Sequence, residues 1–190
     1  VILNSSGWEP PQMIALCETE NRYVIEKLLA FTPLSHLDYN IIHKNSPDDR
    51  GIDVAFLYDP DVFNPIDYHY YPLTEGDGRL VKSREILYVS GVIGRSDTLH
   101  IFINHWPSRY SGLLESRELR ILAARTLRSC VEKLYRDYIN PKIVIMGDFN
   151  DQPGDKSIVE YLNVSPGNTN YCADSIYNLS SDWSARDLGT

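Results

Sequence analysis

Short apolar runs broken by polar and proline-rich stretches dominate the chain, and one long segment has helical spacing. Met13 to Cys17 (M-I-A-L-C) follows Pro10-Pro11 and reads as a buried strand that ends at Glu18. Tyr23 to Phe31 carries Val24, Leu28 and Phe31 at helical spacing, and Pro33 stops it. Tyr39 to His43 predicts a strand, and Asn45 to Gly51 (N-S-P-D-D-R-G) predicts a loop. Ile52 to Tyr58 predicts a strand ended by Asp59-Pro60, and Tyr68 to Leu73 an extended segment before the turn Thr74 to Gly78. Ile86 to Ile93 and Leu99 to Asn104 flank a turn at Gly94 to Asp97 and predict a hairpin.

The longest helix is predicted over Leu113 to Tyr138. Leu119, Leu122, Ala123, Leu127, Cys130, Val131, Leu134 and Tyr138 form its apolar stripe, and Arg128, Glu132 and Arg136 a charged ladder. Pro141 follows. Lys142 to Met146 predicts a strand with Gly147-Asp148-Phe149-Asn150 at its end, then a short helix from Asp155 or Ser157 to Leu162. The remaining tail reads as loop with one helical turn. Strands outnumber helices and several join by short turns, which predicts one α/β layered domain with largely antiparallel pairing.

Composition narrows the classes. The chain has 190 residues, 43% hydrophobic and 23% charged, which excludes disorder as its main state. No apolar run is long enough to span a membrane. Eighteen basic against 26 acidic residues give a net charge of −8, which speaks against a nucleic-acid coat protein. It leaves room for a metal-dependent phosphoesterase, which needs carboxylates and whose cations restore the local potential. Three cysteines, Cys17, Cys130 and Cys172, form no CxxC pair, and buried free thiols are the expected reading. Asn-X-Ser triplets at Asn4, Asn163 and Asn178 are too short to carry weight.

Polar residues at strand ends are where chemistry concentrates, because a sheet holds them and loops leave them accessible. Glu18 is a hard oxygen ligand suited to Mg²⁺, or else a carboxylate at the start of the next helix. Asp148 offers a base or a cation ligand and Asn150 a neutral donor to a phosphoryl oxygen, with Phe149 turned into the core. In Asn104-His105-Trp106-Pro107-Ser108-Arg109, His105 suits proton transfer or phosphate donation, and Arg109 a phosphate clamp. Asp53, in Arg50-Gly51-Ile52-Asp53, suits orienting an imidazole, and Arg84 phosphate binding. The bland alternatives are a buried hydrogen-bonded histidine and surface or loop arginines.

Taken in order, A-L-C-E, R-G-I-D-V-A-F-L-Y, S-R-E-I-L, I-N-H-W-P-S-R and I-V-I-M-G-D-F-N resemble the endonuclease/exonuclease/phosphatase superfamily, with its DNase I-like fold. The H-W-P-S-R version resembles a bacterial branch. The resemblance implies a four-layer α/β/β/α sandwich built on two packed, largely antiparallel mixed sheets, as a single domain over residues 1–190. It implies hydrolysis of a phosphodiester or phosphomonoester with Mg²⁺ or Mn²⁺. Glu18 would be the metal ligand, Asp148 the residue that orients or deprotonates water, and Asn150 a phosphoryl donor. His105 would be the first of two histidines, Asp53 its orienting carboxylate, and Arg84 a phosphate contact. Substrate partners would be phosphoesters, nucleic acid among them. The family's first strand and its final Ser-Asp-His have no counterpart: the histidines are 36, 43, 69, 100 and 105. Val1-Ile2-Leu3 reads as the last turn of a helix. Segments missing at both ends are therefore expected, with little activity in the 190 residues alone. The alternative class is a binding or scaffold module that kept the fold and lost catalysis.

Overall fold

The computed structural model describes residue 2 and residues 9–109, 113–167 and 175–181. The reading of residues 1–3 as a helix end, Cys172 and the Asn4 triplet lie outside them, residue 2 excepted. The chain divides into two compact units, described separately.

The first unit comprises Val1–Pro72, Leu80–His105 and Lys142–Asp148. It holds an antiparallel sheet of β1 (Met13–Thr19), β2 (Asn40–His43) and β3 (Asp53–Tyr58), in the order β1-β3-β2. It also holds a mixed sheet of β4 (Phe63–Tyr71), β5 (Ile86–Ile93), β6 (Asp97–His105) and β7 (Lys142–Asp148), in that order. In this sheet β6 and β7 run parallel, and the β4–β5 and β5–β6 pairs antiparallel. The two sheets meet through one core. Ile42, Val54 and Phe56 from the first pack with Phe63, Leu87, Val89, Ile101 and Ile103 from the second. All but Phe63 fall in the predicted strands, most are β-branched or aromatic, and their removal from water drives the packing.

Helix α1 (Arg22–Phe31) covers the other face of the first sheet. Asn21 caps it by accepting from the Val24 amide at 3.1 Å. Its buried face is Ile25, packed with Ala55 and Leu57 and flanked by Leu29. The expected stripe was placed on Val24, Leu28 and Phe31; Val24 and Phe31 are instead exposed. The Lys27 ammonium sits over the Tyr23 and Phe31 rings, at 5.0 and 4.6 Å.

Two irregularities were not foreseen. Strand β4 begins at Phe63, five residues before the predicted extended segment. A bulge between Pro65 and Asp67 lets this edge strand carry a proline. Strand β1 continues past Cys17 to Thr19 through a bulge between Leu16 and Thr19.

The second unit comprises Leu73–Arg79, Trp106–Pro141 and Phe149–Thr190. Helix α2 (Leu113–Asp137) fills the predicted span. Its buried line runs through Arg120, Ile121, Ala123, Ala124, Leu127, Val131 and Leu134. Compared with the predicted stripe, the line is rotated: Tyr138 is exposed, while Arg120 is buried because Asp151 pairs with it. A single π-type turn over Ser157–Tyr161 stands where the short helix was expected. Two three-residue strands, β8 (Val164–Pro166) and β9 (Ile176–Asn178), pair in parallel within the segment read as loop. No helix among the described residues is long and apolar enough to cross a membrane.

Candidate active site

In the first unit, residues singled out in the sequence come to the ends of three strands. The β1 bulge sets two residues, Cys17 and Glu18, against one on β3. Glu18 takes φ 59°, a left-handed conformation that non-glycine residues seldom adopt. Thr19 locks the far side of the bulge by donating its hydroxyl to the Asp53 carbonyl at 3.2 Å. The inserted residue re-aims the Glu18 carboxylate at the strand end, where it is exposed. Strain at a charged, accessible residue is characteristic of working positions.

His105 and Asp148 are register partners at the ends of the parallel pair β6–β7. Their closeness depends on Gly147, which adopts φ 131°. A Cβ there would lie 1.9 Å from the Asn104 carbonyl oxygen. Asp148 is exposed, whereas His105 is 4% exposed. Burial pushes the His105 imidazole down to about 4, and Arg84 adds to this, against the pull of Asp148 and Glu18. At neutral pH the ring is therefore uncharged, with one donor and one acceptor nitrogen. Its Nδ1 is buried with no hydrogen-bond partner among the described residues.

Asp53 orients an imidazole, but that of His43 rather than His105. His43 Nε2 and Asp53 Oδ2 lie 2.8 Å apart, both side chains almost wholly buried. The other Asp53 oxygen accepts from the Ser46 amide at 2.7 Å. The carboxylate thus ties the end of β2 to the start of β3 and pins the loop between them. The end of a predicted strand is the one local signal His43 carries in sequence; its partner lies ten residues on, across the loop.

Arg84 is equally enclosed. Its side chain is 1% exposed, with Nη1 2.6 Å from Asp48 Oδ2. Its Nε donates to the His105 carbonyl at 3.2 Å. The expected phosphate contact is thus a buried strut that fixes the main chain at His105. Asp48 also accepts from the Arg50 amide, Nε and Nη2, at 2.9, 3.1 and 3.2 Å. Burial alone would raise its carboxyl, but bonds from Arg50 and Arg84 outweigh that and hold it at about 2. Asp48 carried no signal in sequence beyond its loop.

Cys17 donates its thiol to the Asn104 carbonyl at 3.5 Å, and burial raises its pKa. It and Cys130 are free. His100 is buried away from these strand ends, 2.7 Å from the Tyr88 hydroxyl.

Asn150 and Arg109 belong to the second unit. Asn150 also adopts a left-handed conformation, φ 52°, and donates Nδ2 to the Trp106 carbonyl at 2.9 Å. The Trp106 and Phe149 rings meet edge to face, 4.9 Å apart, so both serve packing as expected. Arg109 donates Nε to the Asn150 carbonyl at 2.9 Å, and Nη2 lies 3.1 and 2.6 Å from Asp151 and Asp155. Two carboxylates offset its charge, so it braces the Asn150 turn. Asp151, unremarked in the sequence, is the hub: Arg120 Nε lies 2.7 Å away and Ser157 donates to it at 2.5 Å.

A profile described as the Endonuclease/Exonuclease/phosphatase family matches residues 1–190. No curated protein matches significantly. The human Nocturnin catalytic domain with bound sulfate superposes with a TM-score of 0.65 at 15% identity, covering 80% of this chain and 58% of that one. ANGEL2, a 2′,3′-cyclic phosphatase, gives 0.58 at 17%, covering 78% and 42%. TDP2 from C. elegans gives 0.55 at 19%, covering 75% and 39%. These likenesses show the DNase I-like fold, and the chain spans less than two thirds of each neighbour's length.

Proposed function

The chain belongs to the endonuclease/exonuclease/phosphatase family, and from that premise we propose that it serves a divalent-cation-dependent phosphoesterase in which Asp148, His105 and Glu18 act on one phosphoryl group. The observation that carries the reading is the pairing of His105 and Asp148 at the ends of adjacent parallel strands. One is a neutral, buried imidazole with an unsatisfied nitrogen, the other an exposed carboxylate. A phosphoester is anionic and repels hydroxide, so its hydrolysis needs a positioned base and donors for developing charge. Asp148 orients and deprotonates the attacking water. His105, uncharged at neutral pH, keeps one N–H with which to donate to a phosphoryl oxygen.

The donor chemistry fits Mg²⁺ or Mn²⁺. Mg²⁺ keeps several waters and takes only one or two carboxylates. Glu18 presents an exposed carboxylate at a strand end, a hard-oxygen donor of the kind such an ion takes. Glu18 would hold the ion, which when bound supplies positive charge to the phosphoryl oxygens. Among the structural neighbours one is titled a 2′,3′-cyclic phosphatase and another a TDP2 complexed with single-strand DNA product. Nucleic acid and small phosphoesters are therefore the substrates to test.

The test is hydrolysis of plasmid DNA, bis-p-nitrophenyl phosphate and p-nitrophenyl phosphate with Mg²⁺ or Mn²⁺. Turnover should stop with EDTA and fall at least about a hundredfold in Asp148→Ala, the scale of losing a general base. An equal rate in that variant would overturn the assignment.

A further inference from the structure

We propose that Arg50, which opens the R-G-I-D motif and to which the family resemblance gives no role, is the residue of the first unit that binds the substrate's phosphate. The inference rests on the phosphoesterase reading above and names the cation that the substrate meets. Arg84 is enclosed, at 1% exposure, and committed to Asp48 and to the His105 carbonyl. Arg50 shares the same carboxylate but is 51% exposed.

A guanidinium has five N–H donors. Arg50 commits Nε and one Nη2 hydrogen to Asp48, which leaves three N–H groups with no protein partner among the described residues. Those donors form the planar fork that matches phosphate. The fork is also preorganised. The Arg50 main-chain amide bonds Asp48 Oδ1, the Gly51 amide bonds the Asp48 carbonyl at 3.0 Å, and Ser46 anchors the loop to Asp53. A flexible surface arginine loses side-chain freedom on binding; this one has already lost most of it.

Its place and charge agree. Arg50 feels the Glu18 carboxylate, and His105 feels Arg50, so its charge reaches the strand ends where the candidate residues stand. Two arginines and Asp48 together carry one net positive charge, matching the single negative charge of a phosphodiester. Asp48 keeps the buried Arg84 compensated while Arg50 presents the surplus. An overall charge of −8 gives no general attraction for such a substrate, so a fixed local cation must supply it.

The experiment compares the parent with Arg50→Ala and Arg50→Lys in two independent readouts. One is Mn²⁺-dependent hydrolysis of bis-p-nitrophenyl phosphate. The other is binding of inorganic phosphate, followed by ³¹P line broadening. Arg50→Ala should raise KM and weaken phosphate binding about tenfold or more with kcat changed less than threefold, and Arg50→Lys should restore part of both. A structural role alone would lower kcat or Tm and leave phosphate binding as it was. If the parent turns over and Arg50→Ala matches it in KM and phosphate binding, Arg50 is not the contact and the phosphoesterase reading survives. If the parent does not turn over but binds phosphate through Arg50, the inference stands and the hydrolase reading falls. A parent that neither turns over nor binds phosphate overturns both.

Discussion

Gly147→Ala is the sharpest perturbation that the structure offers. The added Cβ would fall 1.9 Å from the Asn104 oxygen and 2.8 Å from its carbon and nitrogen, where ordinary contact begins at 3.4 Å. Main-chain atoms of a central strand cannot swing aside as a side chain can, so β7 must move off β6 by more than an ångström or rotate its own backbone. Two costs combine. Holding a non-glycine residue at φ 131° costs about 1–3 kcal/mol, and forced overpacking about 1–3 kcal/mol more. Together they are a large fraction of a domain's usual margin of about 5–15 kcal/mol. Gly94→Ala is the matched control. It too lies at positive φ, 65°, but nothing stands within 4 Å of its added Cβ. It should lose only the backbone contribution, about 1–2 kcal/mol. Urea unfolding at 25 °C, followed by circular dichroism, gives both values. At the midpoints of these ranges Gly147→Ala should be the less stable variant by about 2.5 kcal/mol, with Tm lower by about 5–10 °C than the control. Equal losses in the two variants would mean that the close approach of β6 and β7 does not exist as described.

Asp53→Ala removes the acceptor for both His43 Nε2 and the Ser46 amide. The buried His43 donor left unsatisfied costs about 1–3 kcal/mol and the half-buried Ser46 amide less, so urea unfolding should show a loss of about 1–4 kcal/mol; a loss under about 0.5 kcal/mol would refute the anchoring role. Asp48 titrates at about 2 in the folded chain against 3.8 for the free group, so the unfolded chain binds more protons between those values. Its contribution is full above about pH 4 and is lost as pH falls toward 2. The stability gap between the parent and Asp48→Asn should therefore narrow by about 2 kcal/mol over that window, and a pH-independent gap would contradict the pairing.

Elements with a clear period were legible from residues alone. The buried run of β3, the β5–β6 hairpin and helix α2 carry their pattern in adjacent positions. What escaped depends on partners distant in sequence. The rotated face of α2 follows from Arg120 meeting Asp151, 31 residues later. The bulge that turns Glu18 outward is a property of the β1–β3 pair, and nothing in A-L-C-E announces it. The same holds at the site. The strand-end placement of Glu18, His105 and Asp148 was legible because strand ends and short motifs are local signals. The exchange of roles among Asp53, Asp48 and the arginines was not, because residue type tells what a side chain can do and burial decides what it does. Arg84 and Arg50 are identical in chemistry; one is enclosed and the other half exposed.

The first unit is discontinuous in sequence, since β7 joins β6 only after 36 intervening residues, 106–141, have passed. On a translating ribosome, at about 5–20 residues per second, those residues take roughly 2–7 s to appear. Throughout that interval β6 presents an apolar strand with an unpaired edge, the kind of surface that recruits other chains. The strand that carries Asp148 is thus also the one that covers the β6 edge. The candidate carboxylate and the cover for the β6 edge arrive in the same stretch of seven residues.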